Sequence, residues 1–173
     1  MKAVSWVLGV LGLLLFAVGI WMVTEAMASQ DWPVVEGKVV TPNVVGRLRQ
    51  ATNARHRSLE YIVEVTYRYQ VAGRSYQAKR YSLGMGNTTA DGFSDRTEAR
   101  EWIKQSPYQP GQPVAVHVDP DDPENTVLNA GIQGTTWIPL IIGSLFFLVG
   151  FMNHQLVVKQ AAKKQLQSVI LRP

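Results

Sequence analysis

VSWVLGVLGLLLFAVGIWMVT, residues 4–24, contains no charged side chain. A helix rises about 1.5 Å per residue, so roughly 20 apolar residues cross a hydrocarbon layer of ~30 Å. A second run, Trp137–Val158, is also uncharged when His154 is neutral. The stretch between them is polar and β-patterned. The expected fold is therefore a membrane protein with two transmembrane α-helices. They flank a small β-rich (α+β), barrel- or sandwich-like extracytoplasmic domain with one short helix. The chain divides into 1–27 (first span, cytoplasmic N-terminus), 28–134 (outer domain), 135–158 (second span) and 159–173 (basic cytoplasmic tail). A cleaved signal peptide competes for residues 1–28, because Lys2 precedes the apolar run and Ala26-Met27-Ala28 follows it. The run is longer than the roughly 7–15 residues of a signal core, so an uncleaved anchor is expected.

Charge sets the threading. The net charge is +4, yet residues 28–134 hold twelve Lys/Arg and twelve Asp/Glu. The excess lies wholly at the ends, in Lys2, Lys159, Lys163, Lys164 and Arg172 against Glu25. Basic residues beside a span favour the cytoplasmic side, while long loops translocate largely regardless of charge. Both termini are expected in the cytoplasm of a bacterial inner (plasma) membrane, with the middle periplasmic or extracellular. The lysine tail is first a topology signal and second a weak contact for anionic lipid. There are no cysteines, which excludes disulfides and thiolate chemistry.

The spans carry further marks. Trp6, Trp21, Trp32 and Trp137 fall near the expected boundaries, where indole rings favour the interface. Pro139 is tolerated in a first helical turn, which Thr135 or Thr136 can cap. Asn153-His154-Gln155 is expected to mark the exit into the headgroup layer, with His154 interfacial. Gly12 and Gly19 are two turns apart, as are Gly143 and Gly150, giving each helix a small-residue stripe. The stripes suit packing of the two spans on each other, or docking onto a foreign helix.

In the outer domain, Val34–Val40 reads as a strand with a bulge or bend at Gly37. Leu59–Val71 is the clearest strand: Tyr61, Val63, Val65, Tyr67, Tyr69 and Val71 alternate with Glu64, Thr66, Arg68 and Gln70. Ala72-Gly73-Arg74 turns the chain, and Ser75–Ser82 returns beside it. Ser94–Gln105 reads as a helix capped by Ser94 or Asp95, with Ala99, Trp102 and Ile103 as its apolar face. Pro113–Val118 and Thr126–Leu128 complete about five strands.

Three blocks, VEGKVV, YIVEVTYRYQVAGRSYQAKRY and YQPGQPVAVHVDPDDPENTVL, resemble a widespread bacterial membrane family. That family is known only as a domain of unknown function, a β-domain between two spans. The resemblance covers most of the chain, and its last block is the most specific. Family members often carry an aromatic where this chain has His117, and the basic stretch 43–57 is longer here. The resemblance implies architecture and location, and no catalytic residues or cofactor.

The chemical candidates are few. Asp119, Asp121, Asp122 and Glu124 form the densest acidic cluster and could ligate a hard cation, but they lack the glycine and distant glutamate of an EF-hand. A rigid Asx/Pro turn is the stronger reading. His117 and Asp119 point the same way on an extended strand, which suggests a base and its orienter without a nucleophile. Ser82–Asn87 is glycine-rich but lacks the lysine of a phosphate loop, so a mobile or contact loop is expected. Arg47, Arg49, Arg55, His56 and Arg57 form a basic loop suited to anionic lipid or an acidic partner. Nucleic acid is not expected there, because interleaved aromatics are missing. The expected function is a non-catalytic, membrane-anchored protein-binding module: an accessory or regulatory subunit, or an immunity-type protein. The expected partners are membrane lipids and either another protein or a second copy. An envelope hydrolase using His117 and the nearby acids, and a small oligomeric transport component, are the alternatives.

Overall fold

The computed structural model describes residues 2–50 and 57–170. Helix α1 (Lys2–Ala28) leads into six strands: β1 (Val34–Gln50), β2 (Arg57–Val71), β3 (Arg74–Ala78), β4 (Thr88–Phe93), β5 (Pro113–Val118) and β6 (Thr126–Val127). Helix α2 (Arg96–Gln105) lies between β4 and β5, and a 3-10 turn (Gly134–Trp137) precedes helix α3 (Ile138–Ile170). The chain forms two bodies: the helices up to Val23 and from Thr136, and the sheet domain Thr24–Thr135.

In the helical body, Trp6–Ala28 and Gly134–Asn153 are long and apolar enough to cross a membrane. Leu13, Leu14, Ile141, Leu145 and Phe151 are exposed on them, as expected of a surface made for lipid rather than water. The glycine stripes are used within the chain. A Cβ on Gly12 would strike the Phe147 backbone, one on Gly143 the Phe16 backbone, and one on Gly19 would sit 2.6 Å from the Leu140 nitrogen. Only glycine lets α1 and α3 approach this closely. Gly150 is buried and lines an apolar groove of about 370 Å³ with Trp6, Gly9, Leu13 and Phe151. Pro139 sits in the first turn of α3, where its missing N–H costs no helical bond. The helix continues through Asn153-His154-Gln155 to Ile170, while its segment apolar enough to cross a membrane ends at Asn153. The Thr135 hydroxyl donates to the Gly84 carbonyl at 2.8 Å.

The sheet is antiparallel, in the order β3-β2-β1-β5-β6, with β4 beside β3 on the same edge of β2. Among the described residues its ladders form one open path, with no closing ladder and no second sheet. Two single bonds link its ends, from Leu128 N–H and Asn129 N–H to the Tyr81 carbonyl. The alternation in β2 holds: Val63, Val65, Tyr67 and Tyr69 are buried with Val39, Val114, Val116, Val118 and Phe93. Ile62 and Thr66 on the opposite face are buried as well.

The Tyr67 hydroxyl donates to the Arg80 carbonyl at 2.9 Å and meets the Thr126 hydroxyl at 3.0 Å. Burial raises its pKa to about 12. Asp95 caps α2, its carboxylate accepting from Thr97 N–H, and this bond lowers its pKa. Ala99 is buried, and Trp102 packs at 5.8 Å from the Phe93 ring, as the apolar face requires.

The bulge lies at Val40, where the register shifts between Val39 and Thr41, and not at Gly37. Gly37 stays in register between Tyr69 and Val114. It is glycine for lack of room: a Cβ would lie 2.7 Å from Val116 Cγ2. Strand β4 escapes the sequence reading because Asp91 and Gly92 are poor strand formers. A Cβ on Gly92 would strike the Glu60 carboxylate. Val71 and Arg74 close a two-residue hairpin with Ala72 and Gly73 both at positive φ (49° and 77°).

Candidate functional site

The chain enters and leaves the sheet domain at one clasp. Ser29 is fully buried; its hydroxyl donates to the Ala26 carbonyl at 2.8 Å and accepts from Gly131 N–H at 2.9 Å. Gly131 has a positive φ of 94°, and a Cβ there would press on Gln30. A serine after one span and a glycine before the next carry no signal that sequence periodicity would detect.

The acidic cluster is a folded turn. Asp119 Oδ1 accepts from Asp121 N–H at 2.9 Å, and Asp119 Oδ2 from Asn125 Nδ2 at 2.9 Å. Asp122 Oδ1 accepts from Glu124 N–H at 3.1 Å. The Tyr69 hydroxyl donates to the Pro123 carbonyl at 2.8 Å, which fixes the turn to the sheet. Two of the four carboxylates thus satisfy backbone N–H groups, the ordinary work of an Asx turn. Among the described residues, no group of three His, Asp or Glu is placed to hold a metal ion.

His117 is half-buried on β5, between Val34 of β1 and Val127 of β6. Its Nδ1 is buried without a hydrogen-bond partner among the described residues. Asp119 lies two residues on, but its hydrogen bonds run to Asp121 and Asn125, so the imagined base-and-orienter pair is not formed.

The glycine-rich loop at Ser82–Asn87, expected to be a mobile or contact loop, carries hydrogen bonds within itself. Tyr81 N–H donates to the Gly86 carbonyl at 2.7 Å and Gly86 N–H to the Ser82 carbonyl at 3.0 Å. The buried Ser82 hydroxyl accepts from Met85 N–H at 3.1 Å.

Trp6, Trp21 and Trp137 expose much of their rings, whereas Trp32 is only 7% exposed. Trp32 is therefore packed against protein. Lys159 is exposed. Lys2, Lys163, Lys164 and His154 lie on helical backbone, with their side chains outside the described residues.

The basic stretch is a ribbon rather than a loop. β1 runs on to Gln50 and β2 starts at Arg57, so Arg47, Arg49 and Arg57 are strand residues facing Glu60, Ser58 and Gln50 in register. Arg55 and His56 lie outside the described residues, as do the side chains of Arg49 and Arg57. Arg47 Nη2 meets Glu60 Oε2 at 2.8 Å. The sequence hides this because Arg47, Arg49 and Gln50 carry no strand propensity; the ladder to β2 forms the strand. On its other edge β1 pairs with β5 only from Val34 to Lys38, and its last bonds there join Val39 to Gly111 and Gln112. From Thr41 to Gln50 β2 is its only ladder partner among the described residues. Pro42 fits there because an edge strand tolerates a missing N–H.

A search of the curated proteins finds no match to the chain. Residues 35–133, the sheet domain from its first strand onward, match the family model described as "Domain of unknown function (DUF3592)", and the chain belongs to that family.

Proposed function

We propose that the protein is a membrane-anchored, non-catalytic binding module whose sheet domain, lying outside the cytoplasm, captures another protein or a second copy of itself. The observation that carries this reading is the open edge of β1 from Thr41 to Gln50. An open edge is a template for strand addition, in which main-chain hydrogen bonds supply affinity and alternate side chains supply selectivity. The structural use of Asp119 and Asp122 supports the same reading, since those carboxylates already serve backbone groups. The two apolar helices and the basic flanks support anchoring with both termini in the cytoplasm.

Purification in mild detergent through a tag on the C-terminal tail tests the reading. A stoichiometric partner or a defined oligomer is the expected result, and a lone monomer from native membranes would overturn it. Reporter fusions at positions 90 and 165 test the threading: activity of the first in the cytoplasm would reverse it. An envelope hydrolase is the second reading, favoured by the orphaned Nδ1 of His117. Alanine at His117, Asp119 and Asp121 would then abolish a cellular phenotype, and a retained phenotype at normal expression sinks it.

A further inference from the structure

We infer that the open edge of β1 pairs antiparallel with the same edge of a second copy of the chain, about a two-fold axis at Gly46. Such self-pairing rests on strand capture at this edge and names its occupant. The backbone decides which groups the edge offers. Val39 belongs to the core face; its N–H donates to the Gln112 carbonyl, and its own carbonyl accepts from Gly111 N–H. Residues on one face of a strand also turn their N–H and C=O groups to one side. Past the bulge, Pro42, Val44, Gly46 and Leu48 stand opposite Val65, Val63, Tyr61 and Leu59, on the face that Val63 and Val65 share with the core. They therefore turn their backbone groups away from β2, to the side that β5 fills along Val34–Lys38. Pro42 agrees with this, because its missing N–H leaves no gap in the ladder to β2.

The edge is complementary to itself. From Thr41 to Leu48 the only charged side chain is Arg47, and Glu60 already pairs with it at 2.8 Å. The edge thus offers no unpaired charge to select a foreign strand, and none of the lysines that blunt exposed edges. An equally neutral, apolar strand fits it, and the edge of a second copy is one. The two-fold axis is fixed by exclusion. Centred on Arg47, the pairing sets two guanidinium groups directly opposite each other, which is destabilising. Centred on Val44 or Val45, it sets Pro42 against Gly46 or Leu48 of the second copy and loses an N–H bond inside the new ladder. Centred on Gly46, it sets Arg47 opposite Val45 of the second copy and leaves Pro42 beyond the last of the Val44–Leu48 pairs. Leu48, 64% exposed in the single chain, then lies beside Val44 of the second copy on the core-side face. Apolar pairs opposed in this way are what stabilise a sheet.

The chain has no cysteine, so introduced thiols report single positions. The full chain is purified in mild detergent and treated with a short bis-maleimide. Gly46→Cys faces its own copy at about 5.5 Å between Cα atoms and should crosslink. Val44→Cys alone and Leu48→Cys alone lie about 14 Å from their own copies, four residues along a rise of ~3.4 Å, and should not. The double variant Val44→Cys/Leu48→Cys should crosslink, and it carries the test if Gly46→Cys folds poorly. Leu48→Lys alters an exposed side chain and sets an ammonium group beside Val44 of the second copy. It should convert the dimer to a monomer in light scattering while the circular dichroism of the sheet is unchanged. A dimer crosslinked by either single variant at 44 or 48, or at none of these positions, overturns pairing about Gly46. A foreign protein held in stoichiometric amount and released by Leu48→Lys, with no crosslink between copies, overturns the second copy and leaves strand capture standing. A lone monomer overturns both.

Discussion

β1 and β2 form one ladder from Gly37–Tyr69 to Gln50–Arg57, and its two halves differ in almost everything but that ladder. The inner half has β5 on one flank and β3 on the other, and it buries Val39, Val65, Tyr67 and Tyr69. The outer half has an open edge along β1 and leaves Val45, Leu48 and Leu59 exposed. Alternation of side chains is the same in both, so alternation does not decide burial. What decides it is whether neighbouring strands and α2 supply a second surface. Strand β4 flanks β2 only from Tyr61 to Glu64, and the two-stranded end beyond it, marginally stable by itself in water, has to borrow its order from the rest of the sheet.

The comparison breaks most easily at the core. Tyr67→Ala removes a fully buried ring and both hydroxyl contacts, and should cost about 3–5 kcal/mol in urea unfolding of the full chain in detergent. Leu59→Ala, in the same strand and on the same face, should cost under ~0.5 kcal/mol. Similar losses at the two positions would mean that the outer half is packed and that the contrast is wrong.

Glycines sharpen the contrast. At Gly37 an added methyl meets Val116 at 2.7 Å and the Arg68 carbonyl at 3.0 Å, whereas at Gly46 its nearest neighbour is 3.7 Å away. Gly37→Ala should therefore destabilise by about 1–3 kcal/mol through overpacking. Gly46→Ala should be neutral or slightly stabilising, since alanine loses less backbone entropy in a strand. Thermal unfolding of both variants checks this, and a tolerated Gly37→Ala would show that β1 and β5 are more loosely packed than described.

The hydroxyl of Tyr67 gives the inner half a pH signature. Burial lifts its pKa to about 12, only partly offset by the bond to Thr126. The unfolded tyrosine ionises near 10, so the folded state holds its proton more tightly between those values. Stability is thus complete below about pH 10 and falls as pH rises toward 12, by ~3 kcal/mol for this group. Tyr69 and Tyr108 are raised by burial too and steepen the fall. Tyr67→Phe should cost about 1–2 kcal/mol at neutral pH and flatten part of the alkaline slope. An unchanged slope would mean that Tyr67 ionises freely in the folded chain.

Legibility follows the same division. The spans, the β2 alternation, the α2 cap and its apolar face could be read directly, because each is a local pattern of charge or period. Strand β4, the clasp at Ser29 and Gly131, and the true bulge at Val40 could not. Each depends on what a distant segment places alongside: Glu60 over Gly92, Gly131 against Ser29, Tyr67 and Thr66 opposite β1. The glycine stripes showed that a close approach existed, and only the packing of Phe147, Phe16 and Leu140 shows that the partner is the chain's own other helix. Of the site, the acidic turn was legible as a turn, while the basic residues looked like a loop because arginine and glutamine do not announce a strand.

The smallest effect tests the outer half on its own terms. Arg47 and Glu60 meet at 2.8 Å, directly opposite across the ladder, and the arginine side chain is 56% exposed. Solvent screens such a pair, and fixing a long side chain costs entropy, so exposed ion pairs contribute about 0–1 kcal/mol. Glu60 has a further role, since its carboxylate occupies the space that the missing Gly92 side chain leaves beside β4. Arg47→Ala should therefore change stability by under ~0.5 kcal/mol, and Glu60→Ala by more than Arg47→Ala. A double-mutant cycle separates the pair from the packing. A coupling energy above ~1 kcal/mol would make the ion pair a clamp that orders the ribbon. A coupling near zero leaves the Arg47 guanidinium energetically free to exchange Glu60 for a stronger anion.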